Sequence, residues 1–337
     1  MNKILVTGGT GLVGSHLLML LVTKQIKCRA IKRKSSSLAQ CDQVAAYYGI
    51  SQALLGEYLE WVEADLLDKA SLKQALHGIE EVYHCGAIVS FSADTKQQLL
   101  DTNVEGTRNI TEASLEGGVK KFCMVSSIAA IGKATDGGSA DETCMRDGAK
   151  GSVYSQSKFA SEQVVWEAMN RGLNAVIVNP GIILGVGDFS KGSLQFFPAI
   201  KKGMLFYTNG GSGFVDVRDV CKVMVEAMDR ELFAQRFVLV SANLTYGELF
   251  RLIADAEGVK PPRICAGKGL LTLALWSSNL MKLITGKEQR FTKETLQSAS
   301  ARSCYSSAKV MQALNFRFIS IEETICDAAA YFLEHLH

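Results

Sequence analysis

A glycine-rich turn near the N-terminus constrains the fold of this chain more than any other feature. The segment TGGTGLVG (7–14) follows an apolar strand candidate, KILVT (3–7), and opens an apolar helical stretch. Its glycines permit a tight turn, close approach of the backbone to a pyrophosphate and close packing of helix on strand. Because a helix N-terminus attracts anions, this context predicts a dinucleotide site. The residues predicted to form it are Gly8, Gly11, Leu12, Val13 and Gly14.

Short apolar segments alternate with helical ones through the first half of the chain. The helical segments include LVGSHLLMLLVTK (12–24) and TKQQLLDTNVEGTRNITEASLEG (95–117). Repeated β–α alternation predicts an α/β fold with a mainly parallel, doubly wound sheet and right-handed crossovers. The six predicted strands are 3–7, 27–33, 59–64, 80–86, 121–127 and 174–179.

The alternation weakens after about residue 185. Two further strand candidates, GFVDV (213–217) and RFVLVS (236–241), are followed by mostly helical sequence. We therefore expect a nucleotide-binding domain over 1–184, to which 214–243 returns, and a smaller, mostly helical substrate-binding region over 185–337.

Composition narrows the classes of partner. Thirty-six basic and 34 acidic residues leave a net charge of +2, which gives no overall field for nucleic acid or an anionic membrane. Nine cysteines without a CxxC pair or a secretory signal indicate reduced thiols, a cytoplasmic protein and no metal site. The stretch GLLTLALWSSNLMKLITG (269–286) is too polar to span a membrane. It predicts an amphipathic helix over a substrate cleft, with contact to a membrane surface as the alternative.

One segment, GSVYSQSKFASE (151–162), places a tyrosine four residues before a lysine in the first turns of a predicted helix. Residues i and i+4 share a helix face, so Tyr154 and Lys158 should point the same way. The same spacing recurs in Tyr305 and Lys309. Spacing alone therefore does not choose between the two pairs.

Five further motifs follow in a fixed order along the chain. With the GxxGxxG spacing of the first turn, they resemble the extended branch of the short-chain dehydrogenase/reductase superfamily, the NAD-dependent epimerase/dehydratase family, nearly end to end. The resemblance implies a Rossmann-type fold and selects Tyr154, which lies 27 residues after Ser127 as in the family, with Tyr305 structural. The motifs are EADLLD (63–68), HCGAIV (84–89), NVEGT (103–107), VSSIAAIG (125–132) and NPGIILG (179–185).

The resemblance also assigns roles to individual residues. Ser127 would hold the substrate carbonyl beside Tyr154, and Asn103 occupies a position linked to positioning Lys158 and to proton relay. Ser127 could instead merely cap a strand end. His84 is expected to be a buried strand-end residue rather than an acid. The remaining predicted cofactor contacts, besides Tyr154 and Lys158, are Asp65, Leu66, Gly86, Ala87, Pro180, Ile182 and Ile183.

The chemistry of carbonyl reduction explains these residue types. Hydride transfer leaves an alkoxide that must receive a proton, and a free tyrosine, with a pKa of about 10, is poorly matched to neutral pH. A lysine ammonium one turn away and an oxidised nicotinamide favour the phenolate and so lower the pKa. The resemblance further implies that Lys158 hydrogen-bonds the nicotinamide ribose.

The end of the second predicted strand bears on the cofactor. An acidic residue there would accept hydrogen bonds from the ribose hydroxyls of NAD. This chain instead has Lys32, followed by Arg33 and Lys34. Because basic groups bind a 2′-phosphate through charge-assisted hydrogen bonds, the sequence favours NADP over NAD. The alternative is a solvated basic loop.

Two comparisons with subgroups of the family bear on the class of substrate. Sugar-nucleotide enzymes of the family often carry an arginine before the later F-x-x-V-x-D segment, where NGGSGFVDVRDV (209–220) has glycine and serine. The chain instead resembles the dihydroflavonol 4-reductase-like subgroup, which implies a small uncharged carbonyl substrate. A nucleotide-sugar epimerase, dehydratase or reductase and a non-catalytic NADP-binding regulator are the alternatives.

The resemblance also implies a homodimer. Its interface would use the helices near 94–117 and 152–171, with Leu99, Leu100, Val164, Val165 and Trp166 on a semi-apolar face.

Overall fold

A seven-stranded parallel sheet organises the computed structural model, which describes residues 3–89, 96–134, 137–148, 151–267 and 300–335. The strand order is β10-β6-β5-β4-β1-β2-β3, so the chain winds outward in both directions from β1 and β4. This confirms the doubly wound, Rossmann-type fold, and all six predicted strands are present. The strands are β1 (Ile4–Thr7), β2 (Cys28–Lys32), β3 (Leu59–Glu63), β4 (Glu81–His84), β5 (Lys121–Val125), β6 (Ala175–Pro180) and β10 (Gln235–Leu239).

Helices cover both faces of this sheet. Leu17 and Val223 belong to the hydrophobic core on one face, and Leu72, Ile110 and Val165 belong to the core on the other. The helices are α1 (Leu12–Thr23), α2 (Ala39–Tyr47), α3 (Gln52–Tyr58), α4 (Lys69–Ala75), α5 (Lys96–Leu99), α6 (Gly106–Glu116), α7 (Val153–Asn170), α8 (Phe196–Lys201), α9 (Val217–Asp229), α10 (Tyr246–Ala256), α11 (Ala308–Leu314) and α12 (Ile321–Glu334).

The region after residue 185 contains more strand than the sequence predicted. Besides the two expected strands, the described residues form short β pairings that a mostly helical interpretation missed. Strands of two to four residues are too short to show a hydrophobic period, which explains the omission. The strands beyond the main sheet are β7 (Ile182–Leu184), β9 (Gly211–Asp216) and β11 (Ala242–Thr245) in one small sheet, and β8 (Phe206–Tyr207) and β12 (Ile264–Cys265) in another.

The predicted helix over 95–117 is interrupted. A π-helical segment, Leu100–Glu105, separates α5 from α6. Such π-turns are rare and frequently occur at functional sites. The segment contains Asn103, one of the predicted site residues.

Burial of side chains on α5 and α7 corrects part of the expected subunit interface. Leu99, Val164 and Val165 are 0%, 4% and 0% exposed, and Val165 belongs to the core beneath the sheet. These three side chains stabilise the chain itself, so they are not available to a second subunit. Leu100 and Trp166 are partly buried.

The apolar stretch 269–286 lies outside the described residues. Within the described ranges, no helix is both long enough and apolar enough to cross a bilayer.

Candidate active site

The glycine-rich turn joins β1 to α1 in a conformation that requires glycine at two positions. Gly8 has a φ of +68°, and a Cβ there would lie 2.7 Å from the backbone of Cys85 and Gly86 after β4. A Cβ at Gly14 would lie 2.2 Å from the Gly8 carbonyl oxygen. The turn is therefore packed too closely for side chains.

The N-terminus of α1 fits a pyrophosphate. Its N-cap is Gly11, no side chain caps it, and its first turn carries no acidic residue. The exposed N–H groups and the helix dipole favour an anion at this position. The residues present thus fit a dinucleotide at the carboxyl end of β1.

His84 ends β4 beside this turn and is neutral. The Thr107 hydroxyl donates to the Asn103 carbonyl at 2.6 Å, so its oxygen accepts from His84 Nε2 at 3.0 Å. His84 Nδ1 then accepts from the Thr7 hydroxyl at 2.7 Å. Burial, with the nearby Lys158 charge, lowers the pKa of His84 to about 3. His84 is therefore a buried strand-end residue and not an acid, as the sequence analysis expected.

Tyr154 and Lys158 both lie within α7, which begins at Val153 with Ser152 as its N-cap. Their common helix face points to the carboxyl end of β5. There the Tyr154 phenol is hydrogen-bonded to the side chain of Ser127. Lys158 Nζ donates to the Val125 carbonyl at 2.9 Å. The structure therefore brings the three predicted catalytic residues together.

Burial governs the proton affinities of this group. It raises the pKa of Tyr154, against the lowering effect of the hydrogen bond with Ser127. It lowers the pKa of Lys158 to about 8, while Glu162 and Cys85 act to raise it. Lys158 is thus mostly cationic at neutral pH.

Tyr305 and Lys309 occupy a different setting. Tyr305 precedes α11, which starts at Ala308, so the pair does not share a helix. The backbone of Tyr305 bonds to the Asn243 side chain, and its neighbours Cys304 and Ser306 bond to Ala140 in a parallel β-bridge. Lys309 donates to the Arg236 carbonyl at 3.0 Å and lies 4.8 Å above the Phe237 ring. Tyr305 thus joins the C-terminal segment to β11 of a small sheet, and Lys309 joins it to β10 of the main sheet.

Asn103 is buried, and its side chain bridges two elements. Its Oδ1 accepts from the Ile88 N–H at 2.8 Å, and its Nδ2 donates to the Ile88 carbonyl and to Ser157 Oγ, each at 3.0 Å. Ser157 immediately precedes Lys158 in α7. Asn103 therefore fastens the segment after β4 to the helix that carries the lysine.

The adenine side of the predicted cofactor site lies at the carboxyl ends of β2 and β3. Asp65 Oδ1 accepts from the Leu67 N–H at 2.9 Å, which shapes this turn, while Asp68 caps α4. The Leu66 side chain lies beside Gly86, where a Cβ would be 2.9 Å from it. Ala87 follows Gly86. Lys32 ends β2 half-buried, and Arg33 is exposed.

The remaining predicted cofactor contacts follow β6. Pro180 ends that strand, and Gly181 leads into β7 with Ile182 and Ile183 half-buried. Gly181 has no room for a side chain, because a Cβ would lie 2.4 Å from the Gly213 carbonyl of β9.

Packing also explains the glycines of β9. A Cβ at Gly213 would lie 2.5 Å from the Val240 side chain, and one at Gly211 would lie 2.7 Å from the Leu244 carbonyl. Side chains are therefore excluded at both positions, and Ser212 lies between them.

A carboxylate that the sequence interpretation missed lies next to the group formed by Ser127, Tyr154 and Lys158. Glu162 of α7 is fully buried and bonds to Ser126, Asn179 and Arg236. Its position four residues after Lys158 was the available signal, since it continues the Tyr154–Lys158 helix face.

A parallel sheet with a glycine cradle and a Ser–Tyr–Lys group at one edge defines a nicotinamide-dependent oxidoreductase. The chain belongs to the NAD dependent epimerase/dehydratase family, which matches residues 4–248. It is thus an oxidoreductase of the extended short-chain dehydrogenase/reductase type.

Curated relatives cover nearly the whole chain. Sterol demethylase protein B of Methylococcus capsulatus is 29% identical over 335 residues, 98% of each protein. A Synechocystis sp. protein provisionally named dihydroflavonol 4-reductase is 28% identical over 98% of this chain and 94% of the relative.

Solved structures share the fold. The crystal structure of gox2253 superposes with a TM-score of 0.82 and 29% identity, covering 100% of this chain and 99% of the other. A nucleoside-diphosphate-sugar epimerase from Pseudomonas aeruginosa superposes with a TM-score of 0.77 and 22% identity, covering 99% and 98%. At that identity the likeness is one of fold.

Proposed function

We propose that this protein is an NADP-dependent reductase of a ketone or aldehyde group in a small uncharged organic substrate. The observation that carries the proposal is the convergence of Ser127, Tyr154 and Lys158 beside the glycine-rich turn at one edge of the sheet.

Each residue of this group has a distinct task. Ser127 holds the substrate carbonyl oxygen next to the Tyr154 hydroxyl, to which it is already hydrogen-bonded. Tyr154 donates a proton to that oxygen as negative charge develops on it. Lys158 counteracts the burial that raises the pKa of Tyr154, because its ammonium favours the phenolate that remains. When bound, the reduced nicotinamide supplies the hydride.

Two further residues would support Lys158 and the cofactor. An ammonium has three donors, of which one goes to the Val125 carbonyl, so Lys158 retains the capacity to bind a ribose hydroxyl. Asn103 would position Lys158 indirectly, through its hydrogen bond to Ser157.

The residues at the end of β2 support NADP as the cofactor. Among the described residues, no carboxylate lies within 4.0 Å of the cationic groups of Lys32, Arg33 or Lys34. A 2′-phosphate would provide the negative partner for this basic run.

The β9 segment supports an uncharged substrate. A diphosphate needs cationic partners, and the glycines required at Gly211 and Gly213 exclude side chains there. Two relatives have names that agree with an uncharged carbonyl substrate, the Synechocystis sp. protein provisionally named dihydroflavonol 4-reductase and a quinoline-oxide ketoreductase of Stigmatella aurantiaca.

Substitution of the two tyrosines tests this function. A panel of uncharged aldehydes and ketones is screened with NADPH by the loss of reduced-nicotinamide absorbance. Tyr154→Phe should lower kcat by about 10²–10⁴-fold, because the general acid is lost, while NADPH still binds. Tyr305→Phe is the matched control and should leave kcat unchanged. Turnover that survives Tyr154→Phe but is lost in folded Tyr305→Phe would show that the wrong pair was chosen.

A further inference from the structure

Glu162 is a carboxylate placed where burial is costly. Its side chain is fully buried in α7, one turn beyond Lys158 and two turns beyond Tyr154. An ionised carboxylate away from water is tolerated only when it is paired and hydrogen-bonded. Its partners therefore indicate what it does.

Three strands supply those partners. Ser126, just after β5, donates its hydroxyl to Glu162 Oε1 at 2.5 Å. Asn179 of β6 donates its Nδ2 to the same oxygen. Arg236 of β10 pairs with Oε2 at 3.2 Å, and its own side chain is 11% exposed. One carboxylate thus ties three adjacent strands to α7.

The same contacts control the placement of Ser127. Asn179 Nδ2 donates not only to Glu162 but also to the Ser127 carbonyl, at 3.0 Å. The preceding residue, Ser126, is held through its side chain. The attachments through the side chains of Asn179 and Ser126 therefore both lead to Glu162, which lies on the helix that carries Tyr154.

Electrostatics adds a second consequence. Two titratable groups lie on the same helix as Lys158, namely Tyr154 and Glu162. Among the other described residues, Cys85 and His84 at the carboxyl end of β4 also interact with it. Burial lowers the pKa of Lys158, and Glu162 is the larger of the two opposing effects. The carboxylate therefore keeps Lys158 cationic at a pH where burial would favour the neutral amine.

We propose that Glu162 is a positioning residue that holds the ends of β5 and β6 against α7 and so aligns Ser127 with Tyr154. This inference rests on the function proposed above. Glu162 acts through Ser126, Asn179 and Lys158 and does not itself touch the substrate.

Glu162→Gln removes the charge at constant shape and places an amide N–H group in a site built from donors. The pH titration of Lys158 is followed by NMR of protein labelled with ¹³Cε-lysine, with its signal assigned from the Lys158→Arg derivative of each protein, without substrate. The Lys158 midpoint should move to lower pH, because the negative charge that favours the ammonium is lost. Glu162 lies about 6 Å along the helix from Lys158, close enough for this effect.

Glu162→Gln should also change the kinetics, through the lost alignment of Ser127 and the lost negative charge beside Lys158. With an active carbonyl substrate, kcat should fall about 10- to 10²-fold from misalignment, with KM for NADPH unchanged. The alkaline limb of the rate profile should move to lower pH. Glu162→Asp keeps the charge but shortens the side chain, so kcat should fall while the alkaline limb stays in place.

Glu142→Gln is the matched control. Glu142 Oε1 accepts from the Val238 N–H at 2.7 Å, and Arg236 contacts only its backbone carbonyl. This variant should leave the Lys158 titration and kcat unchanged.

The outcomes separate this inference from the proposed function. A Glu162→Gln protein with the Lys158 midpoint and kcat of the wild type overturns the positioning role. If no carbonyl compound is reduced, the Lys158 titration still decides the role of Glu162. If Glu162→Gln does not fold, Glu162→Asp decides it instead, and unchanged kcat in that variant refutes the proposal.

Discussion

Cofactor choice is the prediction that the basic residues after β2 make most directly. Lys32 ends the strand half-buried, and Arg33 follows it exposed to solvent. Their positive charges have no carboxylate partner within 4.0 Å among the described residues. We expect both to bind a 2′-phosphate, so NADPH should bind more tightly than NADH.

The size of this preference follows from the exposure of the site. A charge-assisted hydrogen bond contributes about 1.5–3 kcal/mol, and about 1.4 kcal/mol corresponds to a tenfold change in affinity. Because Arg33 is exposed, we take the lower end of that range, which gives roughly tenfold for one contact and about 10²-fold for two. Added salt should reduce the difference in affinity between NADPH and NADH, since the Debye length shrinks from about 10 Å at 0.1 M salt to about 3 Å at 1 M.

Fluorescence titration with both reduced cofactors at two ionic strengths measures the preference. Lys32→Asp with Arg33→Ala should abolish or reverse it, because contacts are lost and a repulsive charge is gained. Lys27→Asp is the control for charge, since Lys27 is exposed at the opposite end of β2, about 16 Å away. Equal affinity of the wild type for NADPH and NADH would refute the reasoning. The basic run would then be a solvated loop, and the NAD-dependent epimerase alternative would return.

Two other predictions concern stability and assembly. Because the pKa of folded His84 is about 3 and that of an unfolded histidine is about 6.5, the unfolded chain gains this proton first as the pH falls, so stability present above pH 6.5 is lost toward pH 3. Chemical unfolding should show the gap in free energy of unfolding between wild type and His84→Gln shrinking by about 2 kcal/mol from pH 7 to pH 5; a constant gap would contradict a neutral His84. The homodimer implied by the family resemblance should appear in light scattering at micromolar concentration. A monomer would exclude it.

The main sheet was predictable because its strands are buried on both faces. Such strands are continuous apolar runs, as in ILVT of β1 and AVIVNP of β6, in which every residue is buried. The small sheets were not predictable in the same way. The strands β8 and β12 have two residues each, and their pairing depends on contacts between distant segments.

Three of the five side chains predicted at the subunit interface are buried in the chain itself, and the interface as a whole stays a prediction. Leu99, Val164 and Val165 are apolar residues on helices, and their sequence does not reveal whether they face the chain's own core or a partner. A helix next to a parallel sheet presents its apolar side to the sheet, which explains why these three side chains are buried within the chain.

The candidate site was predictable at positions where the backbone or its close packing admits a single residue type. Gly8 and Gly14 are required by backbone contacts a few residues away in the same turn or just after β4. The pairing of Tyr154 with Lys158 follows from helical spacing, but choosing this pair over Tyr305 and Lys309 needed the order of motifs. The start of α11 at Ala308 now gives a physical reason, since Tyr305 lies before the helix.

Glu162 shows what spacing alone does not convey. A glutamate four residues after a lysine is ordinarily a solvated surface pair that adds a few tenths of a kcal/mol to helix stability. Here the same spacing continues a buried face, because Ser126 and Asn179 end two strands that are adjacent in the sheet. Consecutive strands of a sheet usually lie next to each other, and the sequence predicted both strands in a parallel sheet. Combining strand order with helical spacing would therefore have placed two hydrogen-bond donors opposite Glu162 and distinguished it from a surface charge.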